Sequence, residues 1–361
     1  MIVIDAHLDL AWNAVQWNRD LRAPVYTIRT REARVAGRGR GQNTVALPQM
    51  LEGRIALCFG TLLARVTGNP VPHSDYHSVA QAYGAARGQL AYYQALAALG
   101  NIQLITDRIL LERHIRRWQA WDANPDGDPP PVGCIISMES ADAVMKPADL
   151  HDWYQQGVRI IGPAHYGTGR YAGGTSVEEG FSNAGFDLLD EMTRLGITLD
   201  LTHLSDRAFW QAVERFEGTL IASHNNCRAL VPHQRQLDDR QIKALIEHDG
   251  VIGVAMDVWM LRPGWIKDHS SNDGITLDDL ADHIDHVCQL AGNAHHVGIG
   301  SDLDGGFGRE QSPTDLETIA DVQRLAPILA ARGYVSSDID AIMHGNWLRL
   351  LRRALPERSA D

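Results

Sequence analysis

Short apolar runs rich in valine and isoleucine recur along the chain. Each is followed by polar residues and then by a longer stretch with helical spacing of its apolar positions. Eight runs are readable: IVIDAH (2–7), RIALCFG (54–60), GCIISME (133–139), VRIIGPAH (158–165), ITLDLTH (197–203), TLIASH (219–224), VIGVAMD (251–257) and HVGIGSD (296–302). Helices are predicted between them over 78–99, 187–195, 206–215, 239–247 and 277–291, several opening on an Asp or Ser suited to a cap or first turn. Continuous apolar strands alternating with helices are the pattern of a parallel sheet covered on both faces. Eight such units favour an α/β fold of the (β/α)8 TIM-barrel type over an open doubly wound sheet, with a C-terminal helix over 338–355 packing outside. NPDGDPPPVG (124–133) and GRGRGQN (37–43) read as loop insertions. No linker or internal repeat interrupts the pattern, so 1–361 is expected to be one barrel domain.

The polar residues at the strand ends change the picture. His7 with Asp9, Glu139, His165, His203, His224 and Asp302 all fall where a strand gives way to its following loop. In a barrel these ends converge on the face where active sites are built. A single His there is usually a hydrogen-bonded structural residue, and a single Asp a cap or turn former. The joint placement is what points to a site.

Neutral imidazoles and carboxylates without a thiolate suit zinc or a similar divalent ion. His7 and Asp9 are two apart on the first strand, so alternation lets both point into the mouth. Glu139, with two oxygens, is placed to bridge two ions, and His203 and His224 to complete the second. Two such ions would clamp a shared water, lower its pKa and polarise a scissile carbonyl. Asp302 is left over as the proton carrier. His283 and His286 lack the H-E-x-x-H pattern and read as packing or surface residues. His295 and His296 precede the last strand, at the opposite face, while His73 and His77 would at most rim the site. No phosphate-cradling or nucleophile-elbow motif is present.

Composition narrows the partners. With 33 Lys and Arg against 45 Asp and Glu the formal charge is −12, opposite to the footprint of a nucleic-acid or anionic-membrane binder. The locally basic stretch holding Arg29, Arg31, Arg34, Arg38 and Arg40 is expected to be a solvated loop. Four scattered cysteines make neither a disulfide scaffold nor a thiolate zinc site. The opening MIVIDAHLDLAW does not read as a signal peptide, no stretch is long and apolar enough for a span, and no lipid-anchor signal is visible. A cytoplasmic location is therefore expected.

The chain resembles the membrane (renal) dipeptidase family, zinc dipeptidases related to the amidohydrolase barrels. The likeness runs through IDAHLDLAW, ALPQMLEGRIALCF, SMES, GFSNAGFDLLDEMTRLGITLDLTHLSD, IASHNN, DHIDHVCQLAGNAHHVGIGSDLDG and GNWLRLLRRAL, which span nearly the whole sequence. It implies one zinc on His7, Asp9 and Glu139 and another on Glu139, His203 and His224. It makes His165 the contact to substrate and tetrahedral intermediate, Arg235 the anchor of the terminal carboxylate and Asp302 the acid/base. The guanidinium fork of Arg235 also suits a carboxylate physically. The implied substrate is a small dipeptide, and the implied assembly a homodimer. The same centre acting on an N-acyl amino acid or a β-lactam ring is the alternative chemistry, and a barrel that binds metal without turnover the alternative class. Leu8 stands where the family has Asn, Ser140 where it has Gly, and the loop YGTGRYAGGTS replaces an Asn-rich one.

Overall fold

The computed structural model describes residues 1–68 and 71–358. Among these, nine strands form one parallel sheet: β1 Val3–Leu8, β2 Ile55–Leu63, β3 Ile102–Leu104, β4 Val132–Glu139, β5 Val158–Gly162, β6 Thr198–Asp200, β7 Leu220–Ile221, β8 Ile252–Val254 and β9 Val297–Ile299. Their order is β7, β6, β5, β4, β2, β1, β9, β8, with β3 attached to the start of β4. A parallel bridge between Ala222 and Ile252 joins the two ends of that path, so the eight principal strands make a barrel, as the repeating pattern predicts. The ninth, β3, is too short to register as an apolar run.

Alternation along each strand sorts the core into two layers. Phe59, Ile135, Ile160 and Ile221 share a buried interior cluster with Ile2 and Ile4. Their neighbours Cys58, Ile136, Ile161 and Leu220 belong to the layer beneath the helices. Burying each such side chain contributes roughly 1.5–3 kcal/mol before conformational entropy is charged against it. Further along the inward-facing positions the residues turn polar: Thr61 follows Phe59, and Ser137 and Glu139 follow Ile135.

β1 does not obey simple alternation. Ile2 and Ile4 face inward, yet His7 and Asp9, of opposite parity, reach the mouth. A register irregularity against β2 between Asp5 and Leu8 makes the switch. The buried Asp5 carboxylate holds it, accepting the His7 N–H at 3.2 Å, the Ser301 N–H at 2.9 Å and the Ser301 hydroxyl at 2.5 Å.

Two expectations are corrected. The C-terminal segment consists of helix Ser336–Asp340, a π turn Ala341–Gly345 and helix Asn346–Ala354, and it does not simply pack outside. Its Trp347 joins the interior cluster: the indole N–H donates to the Ile299 carbonyl at 3.0 Å and the ring lies 5.3 Å from that of Phe59. Gly298 makes room, since a Cβ there would sit 2.4 Å from the indole nitrogen. Arg349 and Arg353 pair with Asp249, just before β8, so this helix caps the end where strands begin. The basic stretch is likewise not simply solvated. Arg29 binds the Asn43 carbonyl and Glu317, Arg38 pairs with Asp268, and Arg40 reaches the Trp17 carbonyl and Glu32. In a chain of net charge −12 these arginines find carboxylates within their own fold.

Candidate metal centre

At the opposite end the strands deliver their terminal side chains to one point. Glu139 Oε1 lies 3.7 Å from His7 Nε2, 3.3 Å from His203 Nε2, 3.4 Å from His224 Nε2 and 3.6 Å from His165 Nε2. His7 Nε2 is also 4.0 Å from Asp9 Oδ1 and 3.8 Å from Asp302 Oδ1, and the Nε2 atoms of His203 and His224 are 3.2 Å apart. Seven of the eight residues singled out in the sequence thus meet within one cluster. The eighth, Arg235, lines the same cavity of about 150 Å³, with Trp12, Tyr166, Asp257 and Trp259 on its walls.

The backbone is bent to achieve this. His203 and Asp302 adopt φ of 68° and 58°, and Ser140, directly after Glu139, adopts 73°. Side-chain-bearing residues in the left-handed region cost of order 1–3 kcal/mol each, and such positions cluster at functional sites. At Ser140 the angle also explains why a glycine belongs there in the family the sequence resembles.

The donor set fits divalent ions. His7 Nε2 is buried with no hydrogen-bond partner. Burial, helped by the Arg235 charge, pushes the His7 pKa down to about 3 and depresses His203 and His224 well below the ordinary range. Neutral imidazoles are what a metal requires. His203 Nδ1 lies 2.9 Å from Thr175 Oγ1, and His224 Nδ1 lies 2.9 Å from Ser223 Oγ. Protons held on Nδ1 by these hydroxyls leave both Nε2 lone pairs facing Glu139. Burial, with Asp9 and Asp302 nearby, raises the Glu139 carboxyl, and burial lifts Asp9 to about 6. Buried carboxyls held this way stay ionised when a cation lies between them. Three groupings have metal-compatible spacing: His7, Asp9 and Glu139; Glu139, His203 and His224; and His7, His224 and Asp302. The first two share Glu139. The third shows that Asp302, read from the sequence as no ligand, also lies within ligand reach.

His165 differs from the other imidazoles. Its Nδ1 receives an N–H of Arg65, which is held at 3.2 Å from Asp75. A guanidinium only donates, so Nδ1 accepts, and the ring proton sits on Nε2, aimed at the centre. His165 is therefore a hydrogen-bond donor to the cavity rather than a lone-pair ligand. Arg235, only 3% exposed, uses Nη2 to bind the His224 carbonyl at 2.8 Å, while its Nη1 is buried without a partner. A buried guanidinium N–H with no acceptor is prepared for an anion.

Arg65 and Asp257 escaped the sequence reading. Arg65 lies just beyond β2, in an apolar LLARV stretch that gives no warning. Asp257 ended a predicted strand just as the other site residues did, so its position was the available signal. Burial raises its pKa to about 7 against the opposing bonds from Gln311 and Trp259. The remaining candidates lie elsewhere. His283 is buried and accepts the Cys227 N–H at 3.0 Å, and His286 pairs with Asp239. His73 lines an outer cavity, where its carbonyl accepts the Trp12 indole N–H. No helix among the described residues is long and apolar enough to cross a membrane.

Comparison with known proteins agrees with this geometry. The family described as "Membrane dipeptidase (Peptidase family M19)" matches residues 1–359. A metallopeptidase from Rhodobacter sphaeroides, solved with a phosphinate mimic of the dipeptide L-Ala-D-Ala, is 25% identical with a TM-score of 0.77, covering 98% of this chain and 99% of that one. A dipeptidase of family M19 is 26% identical with a TM-score of 0.76, covering 98% of both chains. Dipeptidase tcpJ of Claviceps purpurea is 30% identical over 210 residues, 56% of this chain but 46% of its own length. The chain thus spans about half the length of that curated relative, and nearly all of the solved ones. The chain belongs to the membrane dipeptidase family, peptidase family M19, whose members are metallo-dipeptidase hydrolases.

Proposed function

We propose that this protein hydrolyses the peptide bond of small dipeptides using two zinc ions. His7, Asp9 and Glu139 would hold one, and Glu139, His203 and His224 the other. When bound, such ions supply a Lewis acid that activates water and polarises the scissile carbonyl. The chain's own residues do the rest. Arg235 offers its free Nη1 to the substrate's terminal carboxylate, which fixes the peptide bond over the cluster. His165 presents its Nε2–H to the carbonyl oxygen as negative charge develops there. Asp302, whose carboxyl is raised well above the usual range by burial and by Asp9, takes a proton from the attacking water and returns it to the leaving amine. Recognition of a terminal carboxylate at Arg235, inside the pocket, favours short substrates over long chains.

The observation that carries this reading is the unpartnered Arg235 Nη1 in the same small cavity as the Glu139-centred donors. A site for an uncharged amide or lactone has no use for a buried, unoccupied guanidinium N–H, whereas a dipeptide and an N-acyl amino acid both carry a carboxylate and are separated by turnover. The test is a panel of dipeptides assayed beside N-acyl amino acids and a β-lactam. Hydrolysis of free dipeptides is expected, and turnover of only the other amides would overturn the assignment.

A further inference from the structure

Beyond the metal cluster the mouth widens into a second cavity of about 520 Å³ that shares Tyr166, Asp257, Trp259, Gly305 and Gly306 with the catalytic pocket. Its walls are largely apolar, with Trp259, Trp265, Ile266 and Phe307. Two buried acceptors break that surface. The Asp257 carboxylate, 5% exposed, is held through both oxygens by the Gln311 Nε2 at 2.7 Å. Gln311, 4% exposed, keeps its own Oε1 buried with no hydrogen-bond partner.

A carboxylate oxygen can accept two bonds; Gln311 Nε2 spans both oxygens and the Trp259 backbone N–H reaches Oδ1 at 3.4 Å, which leaves Oδ2 with capacity to spare. An amide oxygen buried without a partner forfeits of order 1–3 kcal/mol, which a ligand donor would restore. Both acceptors line the same cavity, and both sit behind apolar walls. That is a receptor for a side chain with an apolar stem and a donor-bearing tip. The charge balance favours a cationic tip. Arg38, at the rim, is paired with Asp268 and lies 3.9 Å from Glu310, so its charge is already opposed within the fold. Lys267 is exposed, and Asp257 is the one buried acidic group among the cavity's lining residues. The Trp265 ring already carries the Arg38 guanidinium, 5.8 Å from its centroid, and the Trp259 face is of the same cation-compatible kind.

The cavity lies on the carboxylate side of the site. His233, on its wall, accepts the Arg235 backbone N–H through Nδ1 at 3.0 Å, so the loop that carries Arg235 borders the cavity, and its ring packs 4.9 Å from that of Trp259. Arg235 lines the catalytic pocket that adjoins this cavity, so a residue whose carboxylate sits on Arg235 lies beside it.

We propose that Asp257 and Gln311 form a specificity subsite for a basic side chain, lysine-like or arginine-like, on the carboxy-terminal residue of the dipeptide. This rests on the dipeptidase reading above, and the test separates the two. The metal-loaded enzyme is assayed with Ala-Ala, Ala-Lys, Ala-norleucine and Ala-Glu, where norleucine supplies the lysine stem without its ammonium. The subsite predicts kcat/KM for Ala-Lys at least about 10-fold above Ala-norleucine, with Ala-Glu poorest; a charged hydrogen bond worth about 1.5–3 kcal/mol gives that ratio. In Asp257→Asn the Lys-to-norleucine ratio should fall to about 1. Gln311→Leu, which removes the orphaned acceptor and keeps Asp257, should lower it less. Hydrolysis of Ala-Ala with equal or better use of Ala-norleucine, or a ratio unmoved in Asp257→Asn, would overturn the subsite alone. No hydrolysis of any dipeptide would overturn the functional reading, and the subsite with it.

Discussion

The Arg65 guanidinium donates to Nδ1 of His165, a hundred residues away in the chain, and so decides which nitrogen of that ring carries the proton. Arg65→Met removes the donor and lets the ring flip between tautomers. kcat on dipeptides should fall roughly 10- to 100-fold, short of the 10²–10³ that follows from deleting an oxyanion donor outright. KM and metal content should hardly move. Arg65→Lys, which keeps a donor, should recover part of the loss. A change confined to KM would contradict the assigned tautomer role.

Asp302 is within reach of both a proton-carrying role and a ligand role, and the two predict different variants. Asp302→Asn should retain its metal yet lose about 10²–10⁴-fold in kcat. Elemental analysis beside steady-state kinetics separates the cases, because loss of one ion would make Asp302 a ligand.

Arg235→Met should raise KM for free dipeptides about 10- to 100-fold, the equivalent of one charged hydrogen bond, with less effect on kcat. Dipeptide amides, lacking the terminal carboxylate, should be far less sensitive. Equal effects on acids and amides would remove Arg235 from carboxylate recognition.

Metal analysis of the purified protein should find about two ions per chain, the number the shared Glu139 arrangement accommodates. Exhaustive chelation should abolish hydrolysis and zinc should restore it. Glu139→Ala removes the common ligand, so its metal content should fall below that of the parent. Full activity in metal-free protein would refute the metal-dependent reading.

Ser140→Gly tests the strain at the barrel mouth. Glycine relieves a φ of 73° but makes the unfolded chain more flexible, and the Ser140 hydroxyl loses the Asp142 N–H at 3.3 Å. Strain of about 1–3 kcal/mol, against roughly 0.5–1 kcal/mol of chain entropy and about 0.5–1.5 kcal/mol for the hydrogen bond, leaves a net gain of a few tenths of a kcal/mol. Urea unfolding should therefore shift its midpoint upward, and a downward shift would show that the angle costs little here.

Much of the barrel was readable because strands buried on both faces become continuous apolar runs, and seven of the eight runs here close on a polar residue, RIALCFG on Gly60 being the exception. IQL of β3 failed that criterion because the half-buried Gln103 interrupts the apolar run. The chemistry of Glu139 and the histidines was readable for the same positional reason. What local sequence hid was long-range. The inward turn of His7 and Asp9 depends on Asp5 meeting Ser301, 296 residues later, and nothing in IVIDAH announces a bulge. The Arg65 effect on His165 depends on a contact between separate strand ends. The π turn and the insertion of Trp347 arise from tertiary packing that helical periodicity alone cannot register.

β1 pairs with both β2 and β9, so the first strand made is the one that waits for the last. At about 5–20 residues per second, synthesis takes roughly 15–60 s to pass from His7 to Asp302. Glu139, His203 and His224 are made within that interval, but until its end β1 has one open edge and the Asp5–Ser301 contact that turns His7 and Asp9 inward cannot form. The complete donor set therefore forms late in biogenesis, when β9 and Trp347 close the ring. An ion captured by the nascent chain would meet only part of its final ligands, and a chaperone shielding the open edge of β1 would protect the future centre as well as the fold.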